Sequence, residues 1–220
     1  MGTSVIFDMD GVIFDTERAI LACWLEVSQA YPVDAALVQE TFIRCIGTNN
    51  KQTLDIYNGA FSEYLDEKQR KAFWDESYGL FRRRFRGKAL PVKPGAREIL
   101  AFLKNAGIRT GLASSTNKDV ILTELGDAGL LSYFESITGG DAVRISKPNP
   151  EIYLLSCKDM GVDPADTIAI EDSYNGIRAA RAAGMRPVMV PDLVPPDEEM
   201  QTLSEVILTD LFAVIDYLKT

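Results

Sequence analysis

Histidine is absent from all 220 residues of the sequence. That absence excludes Ser-His-Asp and Cys-His catalysis and any zinc site built on imidazole. Acid–base chemistry must fall to carboxylates, lysine, tyrosine or cysteine. A metal site must use oxygen ligands, the preference of Mg2+, Ca2+ and Mn2+. Cysteine is scarce as well: Cys23, Cys45 and Cys157 are odd in number and widely spaced, which argues against a disulfide framework. No apolar run approaches the roughly 18 residues of a membrane span, and no basic stretch leads into an apolar signal segment. Basic residues are outnumbered, 23 against 32 acidic ones, and a chain with net charge −9 is a poor non-specific binder of nucleic acid. These deficits predict a cytoplasmic protein that engages neither nucleic acid nor membrane.

What is present is a globular composition, 46% hydrophobic and 25% charged, in a chain long enough to bury a core without staples. Continuous apolar runs at 5–7, 108–113, 167–170, 187–190 and 206–208 lack alternation, as strands buried on both faces do. Helical patterns lie between them. One opens at Pro94-Gly95 and closes at Gly107, one follows Thr116-Asn117, one stops at Gly161 and one at Gly184. Strand and helix alternate from residue 88 onward, which predicts a doubly wound α/β core with a parallel, Rossmann-like sheet. Residues 16–87 read as helices only, with Ile20, Cys23, Trp24 and Val27 on one face, and Phe73, Trp74, Leu80 and Phe81 further on. This segment holds 10 basic and 10 acidic residues, so the whole net charge sits outside it. The expected organisation is a core of residues 1–15 and 88–220 interrupted by an all-helical insert at 16–87.

Four groups of residues fall at or just beyond the carboxyl ends of the expected strands, where open α/β sheets bind ligands. Asp8 and Asp10 follow the first strand, and i, i+2 spacing lets two carboxylates share a face. Their repulsion is relieved by a shared proton or a bound cation. Ser114 and Ser115 follow the 108–113 run, where hydroxyl and backbone N–H groups ahead of a helix can hold a phosphate. Lys147 stands before Pro148-Asn149-Pro150 as a point charge suited to an anion. Glu171 and Asp172 end the 167–170 run. Taken singly, these signals read as an acidic turn, an N-cap, a solvated lysine and helix-terminal charge. Together they supply a nucleophile, an acid, hydroxyl donors, a cation and a metal-binding pair, the inventory of phosphoryl transfer.

In order and spacing, Phe7-Asp8-Met9-Asp10-Gly11-Val12, Ser114, Lys147-Pro148 and Glu171-Asp172-Ser173 resemble the haloacid dehalogenase superfamily of phosphotransferases, over nearly the whole chain. The helical insert is similar to that family's alpha-helical cap. The resemblance implies that Asp8 is the nucleophile and Asp10 the general acid, then base. It implies that Ser114 and Lys147 hold the transferring group, and that Mg2+ is bound by Asp8, the backbone carbonyl of Asp10, and Asp172, with Glu171 in support. The run from Asp10 to Glu17 resembles both the beta-phosphoglucomutase and the sugar-phosphate phosphatase branches. The mutase pattern has a histidine ten residues after the acid/base aspartate, where this chain has Ile20, and an arginine in a cap loop, where it has Asn50. Both departures favour a Mg2+-dependent phosphatase, acting as a monomer on a small phosphorylated metabolite, a sugar phosphate. A sugar-phosphate mutase is the alternative. A phospho-accepting signalling module is a reading from another class, opposed by the helical insert and the full set of acids. In the insert, the loop from Cys45 to Lys51 resembles the specificity loop, with Thr48, Asn49 and Asn50 as hydroxyl-binding candidates and Lys51 as either a cation for an anionic leaving group or a solvated helix-start lysine. The Arg82-Arg83-Arg84 run reads as a solvent face.

Overall fold

The computed structural model describes residues 4–48, 50–85 and 90–220. Six strands, β1 (Ser4–Phe7), β2 (Thr110–Ala113), β3 (Ser136–Thr138), β4 (Thr167–Glu171), β5 (Arg186–Met189) and β6 (Val206–Ile207), form one sheet in the order β3-β2-β1-β4-β5-β6. Every pairing is parallel. The alternation of strand side chains explains the two-sided covering. In β1, Val5 and Phe7 join one apolar cluster with Leu100 and Leu103, whereas Ile6 joins another with Tyr153, Met160 and Ala179. β4 divides likewise, with Ile168 and Ile170 on one side and Ala169 on the other. Helices α5 (Ala96–Ala106) and α10 (Leu211–Leu218) cover the first face, and α7 (Glu151–Met160) and α8 (Tyr174–Ala182) the second.

Four helices precede α5: α1 (Thr16–Ser28), α2 (Ala35–Cys45), α3 (Asn50–Phe61) and α4 (Glu67–Phe85). They share a separate cluster centred on Trp24, whose ring meets Phe42, Tyr57, Phe73 and Trp74 edge-on at 5.2–6.0 Å between centroids. The offset, edge-to-face geometry suits the ring quadrupoles. The chain passes between the helical layer and the sheet twice, at an antiparallel bridge of Phe14 and Val92. Asp15 N–H donates to Pro91 O there (2.8 Å), and Lys93 N–H to Ile13 O (2.9 Å). The expected junction at 87/88 lies outside the described residues.

The remaining helices are α6 (Lys118–Asp127) and α9 (Glu198–Leu203). The terminators read from sequence act as expected, Gly107 and Gly161 both closing their helices in the left-handed region. The sequence reading finds five strands, and the described residues form six. The addition, β3, is a three-residue edge strand with two half-buried positions, too short to register as an apolar run. No helix among the described residues is long and apolar enough to cross a membrane.

Candidate active site

The strand order reverses at β1, and the crevice beyond the carboxyl ends of β1, β2 and β4 collects the expected residues. Asp8 follows β1 directly, its N–H donating to Ile170 O at 2.9 Å. Gly11 turns the chain with φ +80°, and a Cβ there would overlap the Asp172 carboxylate. The first loop therefore lies against the loop after β4 by backbone alone. Asp8, Glu171 and Asp172 are all buried, each offering an oxygen within 4.8 Å of the others.

Lys147 is the cation of this cluster and is only 2% exposed. Its three N–H donors go to Asp8 Oδ1 (2.6 Å), Glu171 Oε1 (2.6 Å) and Ala113 O (3.1 Å). The ring of Tyr153 lies 5.0 Å from the ammonium, and its hydroxyl donates to Glu171 Oε1. Ser173 donates to Glu171 Oε2 at 3.2 Å. Burial would depress the Lys147 pKa, but the adjoining carboxylates outweigh it and raise it. Burial pushes Asp8 up to about 7, opposed by Lys147 and helped by Glu171 and Asp10. Asp172 is raised as well, by burial and then by the Asp8 and Glu171 charges. Among the described residues no lysine or arginine pairs with Asp172.

Three buried carboxylates against one ammonium cannot all stay charged unaided, and such a cluster takes up protons or binds a cation. The donor set is all oxygen, with no nitrogen or sulfur, which fits a hard divalent cation of the Mg2+ class. The Asp10 carboxylate stands apart from this cluster. Its Oδ1 accepts from Thr16 Oγ1 (2.7 Å), and its Oδ2 from Thr116 Oγ1 (2.8 Å) and, more weakly, Ser114 Oγ (3.4 Å). Ser114 Oγ also accepts from the N–H of Thr116 at 3.1 Å, shaping the turn into α6.

Above these groups is a cavity of about 490 Å³ between the sheet's carboxyl edge and the helical layer. Asp8, Asp10, Ser114, Ser115, Lys147 and Asp172 all line it. Ile20, standing where the mutase pattern has histidine, lines it too. Thr48 reaches it from the helical layer, with its hydroxyl held by Cys45 O (2.6 Å) and Thr53 Oγ1 (2.7 Å). Asn49 and the side chain of Asn50 lie outside the described residues. Lys51 is exposed and pairs with Asp55 at 2.8 Å, one helical turn away. Arg82 departs from the solvent-face reading. Although exposed, it joins Tyr78 and Phe81 in the cavity wall, because positions 78, 81 and 82 share one side of α4.

Sequence reasoning missed Thr16, Thr116, Tyr153, Glu17 and Glu124. Thr16 and Glu17 stand within the motif run, but no local pattern marks the others. Glu17 and Glu124 both line the cavity, and burial pushes each up to about 8, with the Asp10 charge adding to the effect.

Comparison with known proteins gives the family. The haloacid dehalogenase-like hydrolase family matches residues 5–190. A phosphorylated carbohydrates phosphatase of Thermotoga maritima is 34% identical over 83% of this chain and 82% of its own length. A beta-phosphoglucomutase of Bacillus subtilis is 31% identical over 83% of this chain and 80% of its own. Among solved structures, CbbY from Rhodobacter sphaeroides in complex with phosphate superposes with a TM-score of 0.74 at 25% identity, covering 96% of this chain and 95% of that one.

Proposed function

Because the chain belongs to the haloacid dehalogenase-like hydrolase family, we propose that it is a Mg2+-dependent phosphatase. Its substrate is a small phosphorylated metabolite, a sugar phosphate, and its intermediate an aspartyl-phosphate on Asp8. The observation that carries this reading is the buried Asp8–Lys147–Glu171 chain beside Asp172, beneath a cavity that Asp10 also faces. The names of the carbohydrate-phosphate relative and the phosphoglucomutase support the substrate class.

In the first step an Asp8 oxygen attacks phosphorus and the bond from phosphorus to the substrate's alcohol oxygen breaks. Asp10 gives its proton to that departing oxygen. In the second step Asp10 takes a proton from water as the water oxygen attacks phosphorus. The bond to Asp8 breaks, which releases inorganic phosphate and restores the carboxylate. Lys147, Ser114 and Ser115 supply positive charge and donors to the phosphoryl oxygens. All three Lys147 donors are occupied in the free protein. The one on Asp8 is the donor a phosphoryl oxygen takes over once that carboxylate becomes an acyl phosphate. Asp8, Asp172, Glu171 and the Asp10 backbone carbonyl would hold Mg2+, which supplies charge neutralisation between anionic nucleophile and anionic substrate. The helical layer of residues 16–87 acts as a cap that excludes water from the cavity.

The mutase reading has its support in the Bacillus subtilis relative. Ile20 in the cavity wall and a histidine-free chain favour hydrolysis. A panel of phosphorylated metabolites, assayed for phosphate release with Mg2+ and with a chelator, tests the proposal. Mg2+-dependent release from sugar phosphates is expected. No release from any member, acetyl phosphate included, rules the assignment out.

A further inference from the structure

Two polar atoms of residues lining the cavity are left without partners and have no part in the phosphoryl-transfer chemistry described above. Helix α6 packs Ile121 and Leu125 into the core, so that Val120 and Glu124 take the adjoining face and line the cavity. Glu124 Oε2 is buried and has no hydrogen-bond partner. Trp24, which reaches the cavity from the helical layer and is 1% exposed, has its indole Nε1 buried and equally unpartnered. A buried polar group left unsatisfied is costly, so such atoms mark where a ligand group belongs. One is an acceptor and the other a donor. A hydroxyl both donates and accepts, which a phosphate or carboxylate oxygen does not when ionised.

We propose that Glu124 is a specificity-determining residue, taking a hydroxyl of a neutral polyol leaving group and disfavouring a second anionic group beside it in the cavity. This rests on the phosphatase reading above and adds to it the chemistry of the group beyond the scissile bond. Charge points the same way. Glu17 and Glu124 both face the cavity, and each feels the Asp10 charge, so a second anion would enter a region already crowded with carboxyl groups. The opposing feature is Arg82, a cation in the same wall, but it is exposed, so its charge is screened by solvent. A second phosphate would have to rely on it.

The test compares sorbitol 6-phosphate with 6-phosphogluconate, which differ at the far end by a hydroxymethyl against a carboxylate. Acetyl phosphate, which has no polyol, is the third substrate. The full chain is assayed with Mg2+ at about pH 9, above the value of about 8 to which burial raises Glu124 so that its carboxylate is charged, as wild type, Glu124→Gln and Arg82→Met. The wild type is expected to favour the polyol phosphate. Glu124→Gln should lower kcat/KM for sorbitol 6-phosphate by about tenfold more than that for acetyl phosphate, the scale of one charged hydrogen bond. It should also narrow the preference over 6-phosphogluconate. Because each readout is a ratio within one protein sample, partial misfolding cancels. An unmoved ratio in Glu124→Gln overturns the inference. So does a wild-type preference for 6-phosphogluconate that Arg82→Met abolishes. Failure of every substrate, acetyl phosphate included, would instead sink the phosphatase reading beneath it.

Discussion

Gly176 stands in the first turn of α8, and replacing it with alanine sets two opposed effects against each other. In an open helix position, alanine in place of glycine stabilises by about 1 kcal/mol, because glycine has more backbone entropy to lose. Here a Cβ would overlap the carboxyl group of Glu171. That carboxyl group is not free to move, since it holds Lys147 at 2.6 Å, the Tyr153 hydroxyl and Ser173. Either α8 shifts, at the roughly 1–3 kcal/mol cost of overpacking, or the carboxylate gives up charged hydrogen bonds worth about 1.5–3 kcal/mol each. The steric term exceeds the propensity gain in both cases. Net of the propensity gain, Gly176→Ala should therefore lose up to about 2 kcal/mol of stability in urea unfolding. Lys147 loses an anchor when Glu171 moves, and a misplacement near 1 Å costs about 100-fold in rate, so phosphate release should fall by that order. Gly126→Ala is the control: Gly126 lies in α6 with nothing within 4 Å of the added Cβ. It should gain about 0.5–1 kcal/mol. A Gly176→Ala protein as stable and as active as wild type would refute the packing argument.

Asp8→Asn should abolish phosphate release while leaving the circular dichroism spectrum unchanged, because an amide cannot attack phosphorus. Asp10→Asn should also slow turnover, yet keep more of the thermal stabilisation given by Mg2+, since its carboxylate lies outside the acidic cluster. Retained release in Asp8→Asn would overturn the nucleophile assignment. With β-glucose 1-phosphate and a bisphosphate primer, free phosphate should form faster than glucose 6-phosphate, and the reverse would make the chain a mutase. In metal-free protein, burial raises Glu124 to about 8, against about 4.3 in an unfolded chain. Its contribution to stability is then full below about pH 4.3 and is lost as the pH rises through about 8. Melting temperatures of Glu124→Gln should fall less than those of wild type between pH 5 and 8, and parallel slopes would show that Glu124 ionises unhindered.

Much of this site is legible from residue order because the fold makes strand ends meet. The runs at 5–7 and 167–170 are continuous and apolar because β1 and β4 are buried on both faces. The residues just after those runs, Asp8 and Glu171-Asp172, are thereby brought together. Legibility stops where a contact depends on a side chain arriving from elsewhere. Thr16 and Thr116 meet on Asp10 from 6 and 106 residues away, and a threonine carries no local mark of such a role. Tyr153 looks like any aromatic of an amphipathic helix until α7 places its hydroxyl on Glu171. Arg82 misleads for the opposite reason. Three successive arginines suggest a solvated stripe, yet successive helical positions diverge by about 100°, and one of the three faces the cavity.

The acids alone do not make the cluster, because three carboxylates that close repel and must be forced together by whatever surrounds them. The chain supplies that confinement with backbone rather than side chains. Gly11 passes over Asp172, and Gly176 over Glu171, at separations no Cβ would permit. Gly47, in the loop between α2 and α3, rests on Ser173, where a Cβ would come within 2.9 Å of Oγ. In a motif these glycines look like punctuation. In the folded chain they set how closely two loops and the helical layer approach the buried charge. A substitution at any of them should therefore perturb cation affinity before it perturbs the sheet, whose packing lies on the far side of the strand ends.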